Sequence, residues 1–458
     1  MSLQRYAAYR DSGIDWLGDM PAHWQVRRLR FAAEFNPSKS EVSHLDRDTL
    51  VSFLPMDAIG EEGSLVLEQV RQVSQVETGY TYFHEGDVAF AKITPCFENG
   101  KGAVMRGLLG GVGFGTTELI VARPRSDVTC SEYLHWLFCS IPFRKLGEGA
   151  MYGAGGQKRV PEDFARDFAI AFPPLSEQNA IVTFLYSETS KIDTLISEQD
   201  KLLVLLAEKR QATISRIVTR GLEPKVQIKS VGADWLGEIP IHWQAKRVKW
   251  LTSSIEQGWS PQCENYPAEG ENEWGVLKVG CVNGGVFDAA ENKKLPPELE
   301  PFPEYSLRKG DLLISRANTR ELVGSAAVVP KDFHRLLLCD KLYRLRLDQA
   351  KCTPEFLAAY LATGEARGQI ELGATGASSS MLNIGQSVIM DLLVPLPPAE
   401  EQAAIMDFLN AELDRLERLS LAANKSIDLL KARRTALITA AVTGKIDVRN
   451  AVPDTLAA

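Results

Sequence analysis

Two rhythms of apolar residues alternate along this chain. The first has a period of two. Short runs rich in β-branched and aromatic residues, "DVAFAKI" (87–93), "TELIVARP" (117–124), "DLLISRA" (311–317) and "KLYRLRL" (341–347), lie between Gly, Pro, Asn and Asp and predict strands. Between them, "SEYLHWLFCS" (131–140) and "PEFLAAYLAT" (354–363) carry helix-period apolar faces behind polar or Pro starts. The second rhythm is longer. After Pro173-Pro174 and Pro397-Pro398 come stretches without Pro or internal Gly, at about 176–219 and 400–443. Leu185, Ile192, Leu195, Leu202 and Leu206 fall near a 3.5-residue spacing, as do Leu409, Leu413, Leu416, Ile427 and Leu430. Each stretch predicts a helical rod of roughly 66 Å from about 44 residues. Gln199 interrupts the first seam, either as an exposed residue at a drifting position or as a polar register pin.

These blocks occur twice. "DWLGDMPAHWQVRR" (15–28) returns as "DWLGEIPIHWQAKR" (234–247), and "FPPLSEQNAIVTFL" (172–185) as "LPPAEEQAAIMDFL" (396–409). "EKRQATISRIVTRG" (208–221) is echoed by "ARRTALITAAVTGK" (432–445) and "EGDVAFAK" (85–92) by "KGDLLISR" (309–316). A period of about 220 residues is a duplicated domain, not a solenoid, whose repeats run 20–50 residues. The joins are copied faithfully while the bodies diverge, the pattern expected of one framework serving two targets. The fold class expected is therefore α/β (α+β) bodies in tandem duplication, joined by two long antiparallel coiled-coil helices with a pseudo-two-fold. The expected divisions are an N-terminal segment 1–19, a first body 20–175, a central helix 176–220, a linker with the repeated motif 221–239, a second body 240–395, a C-terminal helix 396–445 and a tail 446–458.

Composition narrows the class. With 458 residues, 45% hydrophobic and 24% charged, the chain reads as an ordinary globular protein, and no apolar run reaches the ~20 residues of a membrane span. The polar first residues predict no secretory leader. Seven cysteines (Cys96, Cys130, Cys139, Cys263, Cys281, Cys339, Cys352) are scattered and form no CxxC pair, which points to reduced thiols and a cytoplasmic protein. A net charge of −8 argues against a simple nucleic-acid coat, though a local basic patch suffices for DNA binding.

The duplicated "DWLG…P.HW", the "PPL.EQ..I..FL" helix start, the Lys/Arg-rich rod ends and the closing "ALITAAVTGKIDVR" together resemble the specificity subunit of type I restriction–modification systems. The resemblance covers essentially the whole chain. It implies that each body is a target-recognition domain reading half of a split, asymmetric site in double-stranded DNA. It implies that the helices set the spacer and dock two methyltransferase subunits for adenine N6-methylation, with translocase-nuclease subunits joining for restriction. The chain itself would then be non-catalytic and bind no cofactor, S-adenosylmethionine and ATP/Mg being held by the partner subunits. A prokaryotic cytoplasmic, nucleoid-associated location follows. A coiled-coil scaffold with two peptide-binding bodies is the competing reading, favoured by the acidic charge.

No catalytic motif stands against this. "GGVGFG" (110–115) lacks the strand–GxGxxG–helix context and reads as a turn; the Gly-Lys pairs at 100–101 and 444–445 lack a P-loop's other residues. Glu291-Asn292-Lys293 has an E-x-K form in a Pro-rich loop, with Asp288 too close to serve as the upstream ligand. His135 and Cys139 are i, i+4 with no second ligand pair and read as a core helix. The repeated tryptophans Trp16/Trp24 and Trp235/Trp243 read as burial at the join of body and rods. Candidate DNA contacts fall in polar loops at strand ends: Lys92, Thr94, Asn99 and Lys101, and Arg316, Asn318, Thr319 and Arg320, whose cations suit guanine and amides adenine. A second set follows, Gly155, Gly156, Gln157, Lys158 and Arg159 in one body and Ser378, Ser379, Ser380 and Asn383 in the other, where glycines admit a phosphate and hydroxyls or amides donate to it.

Overall fold

A computed structural model describes residues 4–451 except 62, 155, 234, 271, 379 and 380. The chain divides into two compact units, Met1–Asp200 with Asn424–Ala458, and Lys201–Ala423. The longer body helices are α1 (Ser131–Phe138) and α2 (Ile141–Ala150) in the first unit. Helix α3 (Leu175–Arg220) runs from the first unit into the second. The second unit holds α4 (Pro354–Leu361) and α5 (Gly364–Gly373), and α6 (Ala399–Val442) runs back into the first.

The first unit builds two four-stranded sheets. One orders Val70–Gln72, Leu50–Leu54, Val112–Gly115 and Thr81–His84, the other Ala33–Phe35, Leu119–Pro124, Val88–Ala91 and Gly102–Val104. The second unit repeats both. Asn292–Lys294, Gly275–Leu277, Phe333–Leu337 and Ser306–Leu307 form the first, and Thr252–Gln257, Leu342–Leu347, Leu312–Ser315 and Ala326–Val328 the second. Among the described residues each unit has one parallel pair in an otherwise antiparallel set, 50–54 with 112–115 and 275–277 with 333–337. The second unit adds a three-stranded sheet, Ala317–Asn318, Met381–Asn383 and Thr375–Ser378.

The copied "GD" explains itself here. Asp87 and Asp311 are buried, and each accepts a backbone N–H three residues back, from His84 and Arg308. Each also pairs with an arginine on the neighbouring strand, Arg123 at 2.7 Å and Arg346 at 2.9 Å. A buried carboxylate needs such partners, so strand and turn are copied together.

In the first unit the start of α3 (Ile181, Phe184, Leu185) and the end of α6 (Ile438, Ala441, Val442) share one core with Trp24. In the second, the end of α3 (Ile214, Ile217, Val218) and the start of α6 (Ile405, Leu409) share a core with Trp243. The helices therefore pack antiparallel within each unit. All five expected seam positions of α6 face inward: Leu409, Leu416 and Ile427 are buried, Leu413 and Leu430 half-buried. In α3 the expected seam needs correction. Leu195 and Leu202 are 51% and 40% exposed. The inward positions are Ile192, Ile196, Gln199, Leu203 and Leu206, at alternating steps of four and three. Leucine stands on both sides of this phase, so spacing alone admitted a slip of one residue. Gln199 is half-buried and in phase, which removes the reading of a drifting exposed position.

Candidate nucleic-acid interface

The strand Val88–Ala91 is followed directly by Lys92, and its twin Leu312–Ser315 by Arg316. Both cations are held by the same backbone frame. The N–H of Lys92 donates to Glu118 O (2.8 Å), and its carbonyl accepts from Val160 N (2.8 Å). The N–H of Arg316 donates to Lys341 O (2.9 Å), and its carbonyl accepts from Ile384 N (2.9 Å). This frame draws the second candidate segment of each unit onto the first.

In the first unit Thr94 N donates to Lys158 O at 3.0 Å, and Ile93 bridges Arg159. Lys92, Thr94, Gly156, Gln157, Lys158 and Arg159 thus lie together. Gly156 has φ +79°, a left-handed turn that suits glycine. Gln157 and Lys158 are exposed. Thr94 is turned onto Glu98 at 3.0 Å. Arg159 is engaged by both oxygens of Glu118, at 2.7 and 2.9 Å, and this bond holds the Glu118 carboxyl below its usual range. Two candidates point elsewhere: Lys101 Nζ donates to Met56 O at 3.2 Å, and Asn99 donates to Glu61 at 2.9 Å.

In the second unit Ala317 pairs with Asn383 and Asn318 with Leu382, while Thr375–Ser378 pairs on the far side. Asn318, Ser378 and Asn383 therefore lie in one small sheet, with Arg316 and Thr319 flanking its strand Ala317–Asn318; Gly155, Ser379 and Ser380 lie outside the described residues. Arg316 Nη1 donates to Asp340 O at 3.2 Å, and Arg320 reaches Glu371 at 3.1 Å. Ser315 Oγ, Arg316 Nε and Asn318 Nδ2 are buried without a hydrogen-bond partner among the described residues. Each such group costs about 1–3 kcal/mol unless solvent or a ligand reaches it, and these three lie within a stretch of four residues.

The repeated joins have a chemical purpose that sequence reading did not reach. Glu177, in the first turn of α3, accepts from Tyr6 Oη, Trp24 Nε1 (3.0 Å) and His23 Nε2 (2.8 Å). Glu401, in the first turn of α6, accepts from Trp243 Nε1 (3.0 Å) and His242 Nε2 (2.9 Å). The neighbouring Gln178 and Gln402 each donate to the proline carbonyl five residues back, at Pro173 and Pro397, and to a body carbonyl, Val128 or Lys351. So "HW" and "EQ" are two halves of one clamp, signalled by their recurrence in common register. Trp24 and Trp243 are fully buried and Trp16 and Trp235 half-buried, as expected of a join.

His135 is buried on α1 with Cys139 Sγ 3.7 Å away. Burial opposes charge on both, and their mutual attraction offsets it, holding the imidazole above and the thiol below their usual values. Among the described residues no group of three or more His, Cys, Asp or Glu is placed to hold a metal, and no helix is long and apolar enough to cross a membrane.

Comparison with known proteins agrees with this architecture. A family model described as the type I restriction modification DNA specificity domain matches residues 282–425. The chain is 30% identical over 461 residues to the type I restriction enzyme EcoEI specificity subunit of Escherichia coli, covering 85% of this chain and 77% of that protein. It is 44% identical over 194 residues to the EcoAI specificity subunit of the same species, 42% of this chain and 32% of that one. Among solved structures, the HsdS subunit from Thermoanaerobacter tengcongensis has a TM-score of 0.56 at 20% identity, covering 93% and 98% of the two chains. A chain from a structure concerning complex assembly and conformational transition of the type I R-M system has a TM-score of 0.72 at 19% identity, covering 92% and 98%. The class so defined is a non-catalytic subunit that supplies DNA sequence recognition to a larger complex. The chain belongs to the family of type I restriction enzyme specificity subunits.

Proposed function

We propose that each unit reads one half of an asymmetric bipartite DNA site. The observation that carries this reading is the shared frame around Lys92 and Arg316. In both units a cation at the end of a central strand is fixed by two backbone hydrogen bonds, and a second polar segment is held against it. Arg316, Lys92 and Asn318 are the groups assigned to base edges. Gly156, Gln157, Lys158, Thr319, Ser378 and Asn383 are assigned to the phosphates. Arg159 and Arg320 already have acidic partners and are assigned to electrostatic steering, while Thr94, Asn99 and Lys101 shape the loop.

The long helices act as spacer and as the docking surface for two methyltransferase subunits. Those subunits bind S-adenosylmethionine and methylate adenine N6 in each half-site; translocase-nuclease subunits with ATP and Mg complete the restriction complex. The chain supplies none of this chemistry. The test is to map N6-methyladenine in a genome carrying this chain and its methyltransferase. A split motif is expected. Replacing residues 20–175 with another recognition body should change one half of it only. Methylation unchanged on deleting the chain, or both halves changing together, overturns the reading.

A further inference from the structure

One body helix of each unit packs against the long helices, and the two copies have opposite contents at the contact. In the first unit the space beside α1 is filled from within. Trp136 of α1 is buried and meets Tyr186 of α3 edge-on, with ring centroids 5.3 Å apart. The Arg434 guanidinium of α6 lies 6.0 Å from the Trp136 ring centre and pairs with Asp193 at 3.0 Å. Aligning the repeats places Ala359 where Trp136 stands, Asn410 at Tyr186, and Ala358 and Ala362 at His135 and Cys139. Arginine alone is kept: Arg210 aligns with Arg434.

The second unit has a cavity of about 580 Å³ at this place, lined by Ala358, Ala359, Ala362, Asn410 and Arg210 among others. Its floor is apolar, with Leu409 and Ile214 of the core. Arg210, Arg367, Glu321 and Glu355 supply charges of both signs around it. An apolar floor within a charged surround is the anatomy of a protein contact, and a buried aromatic anchor is its usual occupant. The retained arginine matches the negative face of a ring.

We propose that this cavity receives an aromatic side chain, an indole or phenol, from a subunit that assembles with this chain. In the first unit the chain supplies the ring itself; in the second the ring comes from the partner. The assignment rests on the reading that modification subunits dock on the long helices.

The probe is N-acetyl-tryptophanamide, titrated against the full chain by NMR or calorimetry. Saturable one-site binding is expected. Ala359→Trp, which restores the ring of the first unit, should weaken binding by at least about tenfold, and Arg210→Gln should weaken it without filling the space. Unfolding midpoints establish that both variants fold. Absence of saturable binding, or binding indifferent to Ala359→Trp, overturns the proposal. Assembly with the methyltransferase subunits should abolish probe binding. Probe retained by the assembled complex points to a free small aromatic molecule and overturns the partner assignment. Methylation by the wild-type complex is followed in parallel. If it persists while probe binding fails, this inference falls and the proposed function stands.

Discussion

Trp24 donates its indole N–H to Oε1 of Glu177 at 3.0 Å, and so ties the repeated motif to the first turn of α3. Its twin ties Trp243 to Glu401 at the same distance. A carboxylate at a helix N-terminus also meets the positive end of the helix dipole. The two clamps differ in depth: the Glu177 side chain is 5% exposed and that of Glu401 27%. Glu177 also holds Tyr6, a third donor. Glu177→Ala is therefore expected to cost about 2–4 kcal/mol through stranded donors, and Glu401→Ala about 1–2 kcal/mol. Urea unfolding of the two variants measures the difference; equal losses would remove the argument from burial.

Alkaline pH should act on the same clamp. Burial, and then the bond to Glu177, raise the Tyr6 phenol above its ordinary value. A group whose folded value lies above its unfolded one contributes stability that is complete below the unfolded value, about 10, and is lost as pH rises beyond it. The wild-type urea midpoint is expected to fall more between pH 9 and pH 11 (about two units of pH) than that of Tyr6→Phe. Parallel curves would show that Tyr6 does not contribute.

The corrected seam of α3 makes a sharp contrast. Ile196→Ala and Leu203→Ala are expected to cost about 1–3 kcal/mol, less than a full core deletion because both are half-buried. Leu195→Ala and Leu202→Ala should stay within about 0.5 kcal/mol. Thermal or urea unfolding reads both pairs, and the reverse order would restore the slipped seam.

For DNA, Arg316→Ala and Lys92→Ala are each expected to weaken specific binding by about 1–3 kcal/mol and relax discrimination in one half-site only. Lys145→Met is the control, because Lys145 is an exposed cation on α2 outside both candidate segments and is paired with Glu148. Binding curves against matched and mismatched sites at several salt concentrations decide. A uniform loss with a shallower salt slope would move either cation to phosphate contact.

A four-residue insertion near Gln199 adds about 6 Å and 1.1 turns of helix, which nearly preserves the inward face. Against a rise of about 3.4 Å per base pair, the spacer between half-sites should lengthen by one or two base pairs while the half-sites stay the same. A two-residue insertion turns the face by about 200° and should inactivate the chain. An active four-residue variant with the old spacer in its methylation map would show that the helix does not set the separation.

The one-dimensional pattern was enough for many of the elements and for the duplication. However, "GGVGFG" (110–115), read as a turn, forms the buried strand Val112–Gly115, where Phe83 packs over Gly113 and Gly115. Glu291-Asn292-Lys293, read as a loop, runs into the strand Asn292–Lys294. Strands at 88–91 and 342–347, helices at 131–138 and 354–361, and the two long helices follow from periodicities of two and about 3.6, which are properties of the backbone. The copied joins showed that two units share a framework. Three things only the tertiary structure decided. The phase of α3 turned on a single residue, because Leu202 and Leu203 satisfy the same spacing and only packing distinguishes them. The fate of each loop cation depended on acids distant in sequence: Glu118 lies 41 residues from Arg159 and Glu371 51 from Arg320, and no local rule pairs them. Trp24 and Glu177 are 153 residues apart, and their recurrence showed a shared role without showing that they touch. A repeat records which residues are kept together, whereas contact depends on how the intervening strands fold back, and that is settled by burial of the whole core.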